Sequence, residues 1–232
     1  MNMSLRSHQK KDRIVFMDFE TTGLNIFQNE IIEVAMCDNV GHRYESLIKI
    51  DSKLPDNIQR ITRITSELIE TQGEPMDTVI RNVCDFIHGN LSFLYNGPCQ
   101  VNSASFVVGH NLFQFDMPIL QAHIHRCNIA NKKKGVSRYC IPSSIRMIDT
   151  LLLAQKNYMI PDDPIQPYRR KYSLECLTET LGLKNKPTHR AMSDVLATIE
   201  LFDTIRNEMR QHGRQDDLLE LFKDTMRYHT KV

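Results

Sequence analysis

The sequence predicts a single α/β domain: one mixed sheet, antiparallel at its start and parallel beyond, with helices packed on it. Three observations predict it. Three apolar, β-branched runs follow one another early in the chain, as the strands of a meander do. After them, short apolar runs alternate with longer segments of helical periodicity, the pattern of parallel strands and their crossovers. The length, 232 residues, suffices for one substantial core.

Residues 1–11, MNMSLRSHQKK, are polar and basic and read as a tail with no signal-peptide apolar region. Ile14–Leu24, IVFMDFETTGL, begins as a buried strand and is broken into a turn by Thr21, Thr22 and Gly23. Glu30–Cys37 and His42–Ile50 read as two further strands, joined by a hairpin turn at Asp38-Asn39-Val40-Gly41. Thr65 or Ser66 caps a short helix through Glu70, and Pro75 opens a longer one that stops at Gly89, with Met76, Val79, Ile80, Val83, Phe86 and Ile87 at helical spacing. Ser92–Ser103 reads as loop and Ala104–Val108 as a short buried strand running into Gly109-His110-Asn111. A helix is expected over Phe115–Arg126, then a surface loop at Lys132–Gly135, a strand at Arg146–Asp149 and a helical Thr150–Gln155. Asn157–Lys171, with three prolines, is expected to be a long irregular loop. Ser173 caps a helix that Gly182 stops, and Arg190–Met209 is an amphipathic helix. Residues 12–208 thus make the domain, and 209–232 a C-terminal helical extension packing on it through Leu218, Leu219, Phe222 and Met226.

Charge is balanced, with 29 Lys and Arg against 28 Asp and Glu, so nucleic acid would have to be bound by local patches. No apolar run approaches membrane-spanning length, and a soluble, intracellular protein without membrane attachment is expected. Six cysteines, at 37, 84, 99, 127, 140 and 176, form no CxxC and read as reduced thiols. His123, His125, Cys127 and Cys140 match the spacing of no common zinc module.

Chemistry concentrates on acids at element junctions. Asp18 and Glu20, two apart in a strand, project from one face, and crowding them there is costly unless a cation sits between. Asp116 opens a helix and Asp194 lies in the helix after Pro187. Four carboxylates from three segments can enclose two divalent ions about 3.5–4 Å apart, an arrangement suited to phosphodiester cleavage. His189, on the loop before the last of these helices, would reach such a site separately from Asp194, and histidine titrates near working pH, as a general base should. Arg169, Arg170 and Lys171 on the proline-rich loop are candidates for holding backbone phosphates.

DFETTGL, HNLFQFD and HRAMSD, in this order, resemble the three motifs of the DEDDh 3′→5′ exonucleases, a family of RNase H-like fold, over about Arg13 to Ile205. The resemblance implies a two-ion phosphodiester hydrolase using Mg²⁺ or Mn²⁺, with Asp18, Glu20, Asp116 and Asp194 as metal ligands and His189 as general base. It implies that Thr21, Thr22 and Leu24 hold the 3′-terminal nucleotide, with His110 and Asn111 beginning the second motif. The His110 to Asp116 spacing, FDMPIL and RRKYSLECL are most similar to the TREX-type DNA exonucleases, so DNA is favoured over RNA; a homodimer is compatible with the resemblance. An exoribonuclease using the same chemistry, or a nucleic-acid-binding module that has lost catalysis, are the alternatives. All four acids and the histidine are present, which favours the enzyme.

Overall fold

In the computed structural model of the chain, which describes residues 12–95, 97–135, 138–161, 170–213 and 218–229, the meander is β1 (Ile14–Thr21), β2 (Ile31–Asp38) and β3 (Arg43–Leu47). The expected tail at 1–11 lies outside these residues. Strands β4 (Phe106–Gly109) and β5 (Arg146–Asp149) complete a sheet of order β3-β2-β1-β4-β5. Its first three strands pair antiparallel and β1, β4 and β5 pair parallel, the mixed sheet that the sequence pattern predicts.

The alternation of side chains along β1 separates two cores. Val15, Met17 and Phe19 pack with residues of α3 (Met76–His88) and α4 (Asp116–Lys134); Ile14 and Phe16 pack with α7 (Ala191–Gln211). Phe16 meets Phe202 of α7 edge to face, ring centres 5.5 Å apart. The shorter helices α1 (Asp56–Thr62) and α2 (Ser66–Gln72) bring Ile64 and Ile69 over Ile32 and Leu54 in a third, smaller cluster. Helices α5 (Thr150–Asn157) and α6 (Leu174–Thr180) join α7 on its face of the sheet, and Leu221 of α8 (Leu218–His229) is fully buried in that same core. Among the described residues, no helix is long and apolar enough to cross a membrane.

Three local expectations change. The run Lys132–Lys134 is not a surface loop: α4 continues through it and ends at Gly135, whose φ of +69° closes the helix. Burial of Asn131, whose amide donates to Asp77 at 2.9 Å, carries the helix on, and three cations in its last turn suit the helix dipole. Helix α1 was not expected, because seven residues after Pro55 with one buried side chain offer too short a period to register. Helix α7 also runs to Gln211, so the expected boundary at 208 falls within it.

Candidate active site

Parallel strands β1, β4 and β5 all finish at one end of the sheet, and chemistry in open α/β sheets gathers beyond such carboxyl ends. Because Ile14 and Phe16 face α7, the same period of two turns Asp18 and Glu20 to that helix. Asp194 sits in the first turn of α7, 8% exposed, and Asp116 in the first turn of α4, 2% exposed. Phe19, between the two β1 acids, donates its backbone N–H to Asp116 Oδ1 at 3.2 Å. The third acid is therefore tied to the strand carrying the first two.

The cost of this assembly shows in its electrostatics. Burial first, then the charges of Asp116, Asp194, Glu20 and Glu33, hold the Asp18 carboxyl well above the usual range. Burial and the charges of Asp194, Glu33 and Asp116 push Glu20 up to about 8. Burial, then Asp149, raises Asp116; burial raises Asp194 against hydrogen bonds from Thr188 and Ser193. Arg190, whose guanidinium opposes the rise at Glu20, is already paired with Glu33 at 2.6 Å. Crowded hard oxygen donors short of neutralising charge are what a divalent cation satisfies. Glu20, Asp194 and His189 each bring one potential ligand atom to within 4.8 Å of the others.

His189 occupies the turn before α7 with a left-handed backbone, φ 55°, and its side chain is 48% exposed. Its Nε2 lies 3.6 Å from Glu175 Oε1, a pairing of two half-exposed groups that holds the ring weakly.

Around the acids, a cavity of about 420 Å³ is lined by Asp18, Asp194, His110, Asn111, Arg170 and Lys171, among others. Arg169 lies outside the described residues. His110 is bonded within the fold: its Nε2 donates to the carbonyl of Tyr172 at 2.9 Å, and Nδ1 then accepts from the Thr150 hydroxyl at 3.0 Å. Burial lowers its pKa to about 4, so the ring is neutral and acts as a bracket between β4 and the start of α6. Asn111, with φ 62°, gives its N–H to Asp149 Oδ1 at 2.9 Å. Gly109 ends β4 where a Cβ would come within 3.0 Å of the Leu112 side chain and 3.2 Å of the Met17 carbonyl, so β4 approaches β1 tightly here.

Thr21 and Thr22 are buried and fasten the loop after β1. Thr21 donates to the Gly23 carbonyl at 2.7 Å, and Thr22 Oγ1 accepts from Asn29 and from the Glu30 N–H. Leu24, on that loop, is 74% exposed. His123 and Cys127, weighed above as zinc ligands, are buried, and the His123 ring bonds to the Ile31 N–H and the Ile119 carbonyl.

Two acids that bear on the site were missed from sequence. Asp149 accepts N–H groups from Asn111, Phe113 and Leu151, fixing the loop before α4. Its signal was an acid at a strand end followed by a helix, the N-cap pattern. Glu33 is fully buried in β2, and no local signal in its strand marks that burial.

The sequence pattern of the RNase_T exonuclease family matches residues 15–202. A PolC-type DNA polymerase III of Thermotoga petrophila is 28% identical over 98% of the chain, which spans about a seventh of that protein's length (14%). The DNA polymerase III epsilon subunit of Aquifex aeolicus is 24% identical, with 90% of this chain and 87% of that one covered. Exonuclease I of E. coli, solved with a dT13 oligonucleotide, superposes with a TM-score of 0.66 at 18% identity, over 87% of this chain and 42% of the other. The last likeness establishes the fold, which is RNase H-like.

Proposed function

The chain belongs to the RNase_T exonuclease family, and on that premise we propose that it is a 3′→5′ exonuclease that removes nucleoside 5′-monophosphates from single-stranded or frayed DNA ends. The observation that carries this reading is the convergence of Asp18, Glu20, Asp116 and Asp194 at one end of the sheet beside a half-exposed His189. Asp18, Glu20, Asp116 and Asp194 would hold two divalent ions, Mg²⁺ or Mn²⁺, which supply positive charge to the attacking and leaving oxygens. His189 takes the proton of the attacking water, and its exposure leaves the imidazole free to turn toward it. His110 and Asn111 keep the cavity wall in place, while Leu24 packs on the terminal base and the Thr21–Thr22 turn holds that loop rigid.

Arg170 and Lys171, in the same cavity wall as Asp18 and Asp194, receive the phosphates of the strand leading into the site. DNA is the favoured substrate because the relatives are DNA polymerase III chains at 24–28% identity and an exonuclease solved on dT13. The FDMPIL segment that opens α4 carries the finer likeness to TREX-type enzymes, which share this substrate end. The deciding experiment is a degradation ladder of 5′- and 3′-labelled DNA and RNA oligonucleotides with Mg²⁺ or Mn²⁺. Stepwise shortening of 5′-labelled DNA, abolished by EDTA and by Asp18→Ala, is expected; activity unchanged in EDTA, or release beginning at the 5′ end, would overturn the reading.

A further inference from the structure

A left-handed backbone at a residue other than glycine persists only where its neighbours impose it, and at His189 those neighbours can be named. Upstream, the Thr188 N–H donates to Asp194 Oδ1 at 3.0 Å and to Ser193 Oγ at 2.9 Å. Downstream, Arg190 lays Nε and Nη2 on Glu33 Oε1 at 3.0 and 2.6 Å, and the Ala191 N–H donates to Glu33 Oε2 at 2.8 Å. Glu33 is fully buried, points to the α7 face of the sheet and stands directly opposite Glu20 in the β1–β2 register. These three donors, all from residues 190–191, converge on one carboxylate anchored in the sheet. They meet it only if α7 begins where it does, since any slip would leave a buried charge unpaired.

We propose that Glu33, acting through Arg190 and the Ala191 N–H, is a positioning residue for His189. It pins the first turn of α7 to β2 and thereby sets where the imidazole stands relative to Glu20 and Asp194. The arrangement explains why an acid is kept within an eight-residue strand that is otherwise buried and almost wholly apolar up to its last residue, and why the next residue after the histidine is an arginine able to form a two-pronged contact. The proposal rests on the reading of His189 as general base.

The test is a pair of mutant cycles. Glu33→Gln removes the charge and keeps the volume; Arg190→Lys keeps the charge and loses the planar fork. Each is made alone and together with His189→Ala, and kcat and KM are measured on a labelled single-stranded DNA oligonucleotide with Mn²⁺, with folding checked by circular dichroism. Glu33→Gln should lower kcat by about 10–100-fold, the usual cost of losing an outer supporting partner, with KM changed by less than about twofold. Arg190→Lys should lower it by a smaller factor. Neither should lower kcat further once His189 is alanine, because an effect exerted through the imidazole vanishes with it. Should Glu33→Gln fail to fold, the Arg190→Lys cycle alone decides. Unchanged kcat in the folded variants, or a full additional loss in the His189→Ala background, would overturn the proposal while leaving the general-base reading standing. Near-wild-type turnover by His189→Ala alone would instead remove the general-base reading, and the proposal with it.

Discussion

In the metal-free protein, Glu20 should be a destabilising residue, and replacing it by glutamine should make the fold more stable. Its carboxyl moves from an ordinary 4.5 to about 8 on folding, chiefly through burial and then through Asp194, Glu33 and Asp116. The folded chain therefore holds a proton that the unfolded chain has released, and stability falls as pH rises from the unfolded value through the folded one. Between about pH 6.5 and 8 that loss comes to roughly 1.5 kcal/mol, or about 3–6 °C in Tm for a chain of this size. The window starts near pH 6.5 because buried His110 and His123, both lowered to about 4, impose the opposite slope below it. At about pH 8 the whole charging cost approaches 4 kcal/mol, and water in the open cavity reduces it, so Glu20→Gln should gain on the order of 2–4 kcal/mol in EDTA. Melting curves of both proteins in EDTA at the two pH values give the result directly. Adding Mn²⁺ at about 1,000 times its Kd should reverse the order, since it stabilises the wild type by about 4.1 kcal/mol and the variant has lost a carboxylate that holds it. A variant less stable than the wild type in EDTA at the higher pH, or equally pH-dependent, would refute the reasoning.

Other expectations follow from the same site. His189→Ala should cut single-turnover hydrolysis by roughly 10²–10⁴ while leaving DNA affinity and Mn²⁺ affinity near wild type; lost binding would make the histidine structural. Replacing Arg170 and Lys171 by alanine should weaken binding about equally across sequences and flatten the slope of log affinity against log salt by about 0.7 for each phosphate no longer neutralised, and an unchanged slope would return them to the solvated surface. Asp149→Asn should leave Mn²⁺ affinity within about tenfold of wild type yet lower turnover, since Asp149 bonds the Asn111–Phe113 turn that precedes Asp116; a far larger loss of Mn²⁺ affinity would make it a ligand itself.

What the sequence made legible is what depends on short-range order. Alternation along β1 was enough to place Asp18 and Glu20 on one face, and the two cores on either side of that strand bear this out. Thr65 and Ser173 were readable as helix caps because a cap is a local bond, and both hydroxyls accept the N–H three residues on. The end of α4 was not readable. Its last turn is held by Asn131 reaching Asp77 of α3 and by Asn128 holding the backbone of Tyr139, partners 54 and 11 residues distant in the chain. Three successive lysines say only that the segment is solvated, which a loop and an exposed helical turn satisfy equally.

Glu33 shows the limit more sharply. Within EIIEVAMC it could be a half-exposed position on an edge strand, and nothing local distinguishes that from a fully buried charge. Its burial becomes intelligible only when β2 is flanked on both sides, by β1 and β3, and α7 lies across the face that Glu33 shares with Ala35 and Cys37. Its register opposite Glu20 then sets two acids side by side, and like charges facing across a pair of strands repel. The repulsion appears in Glu20, whose carboxyl Glu33 helps to raise, whereas Arg190 neutralises Glu33 and pulls Glu20 the other way. One arginine thus answers to both acids. Its short contacts go to Glu33 in the sheet and it opposes the rise at Glu20 only in part, so the four carboxylates keep the negative potential that draws a divalent cation.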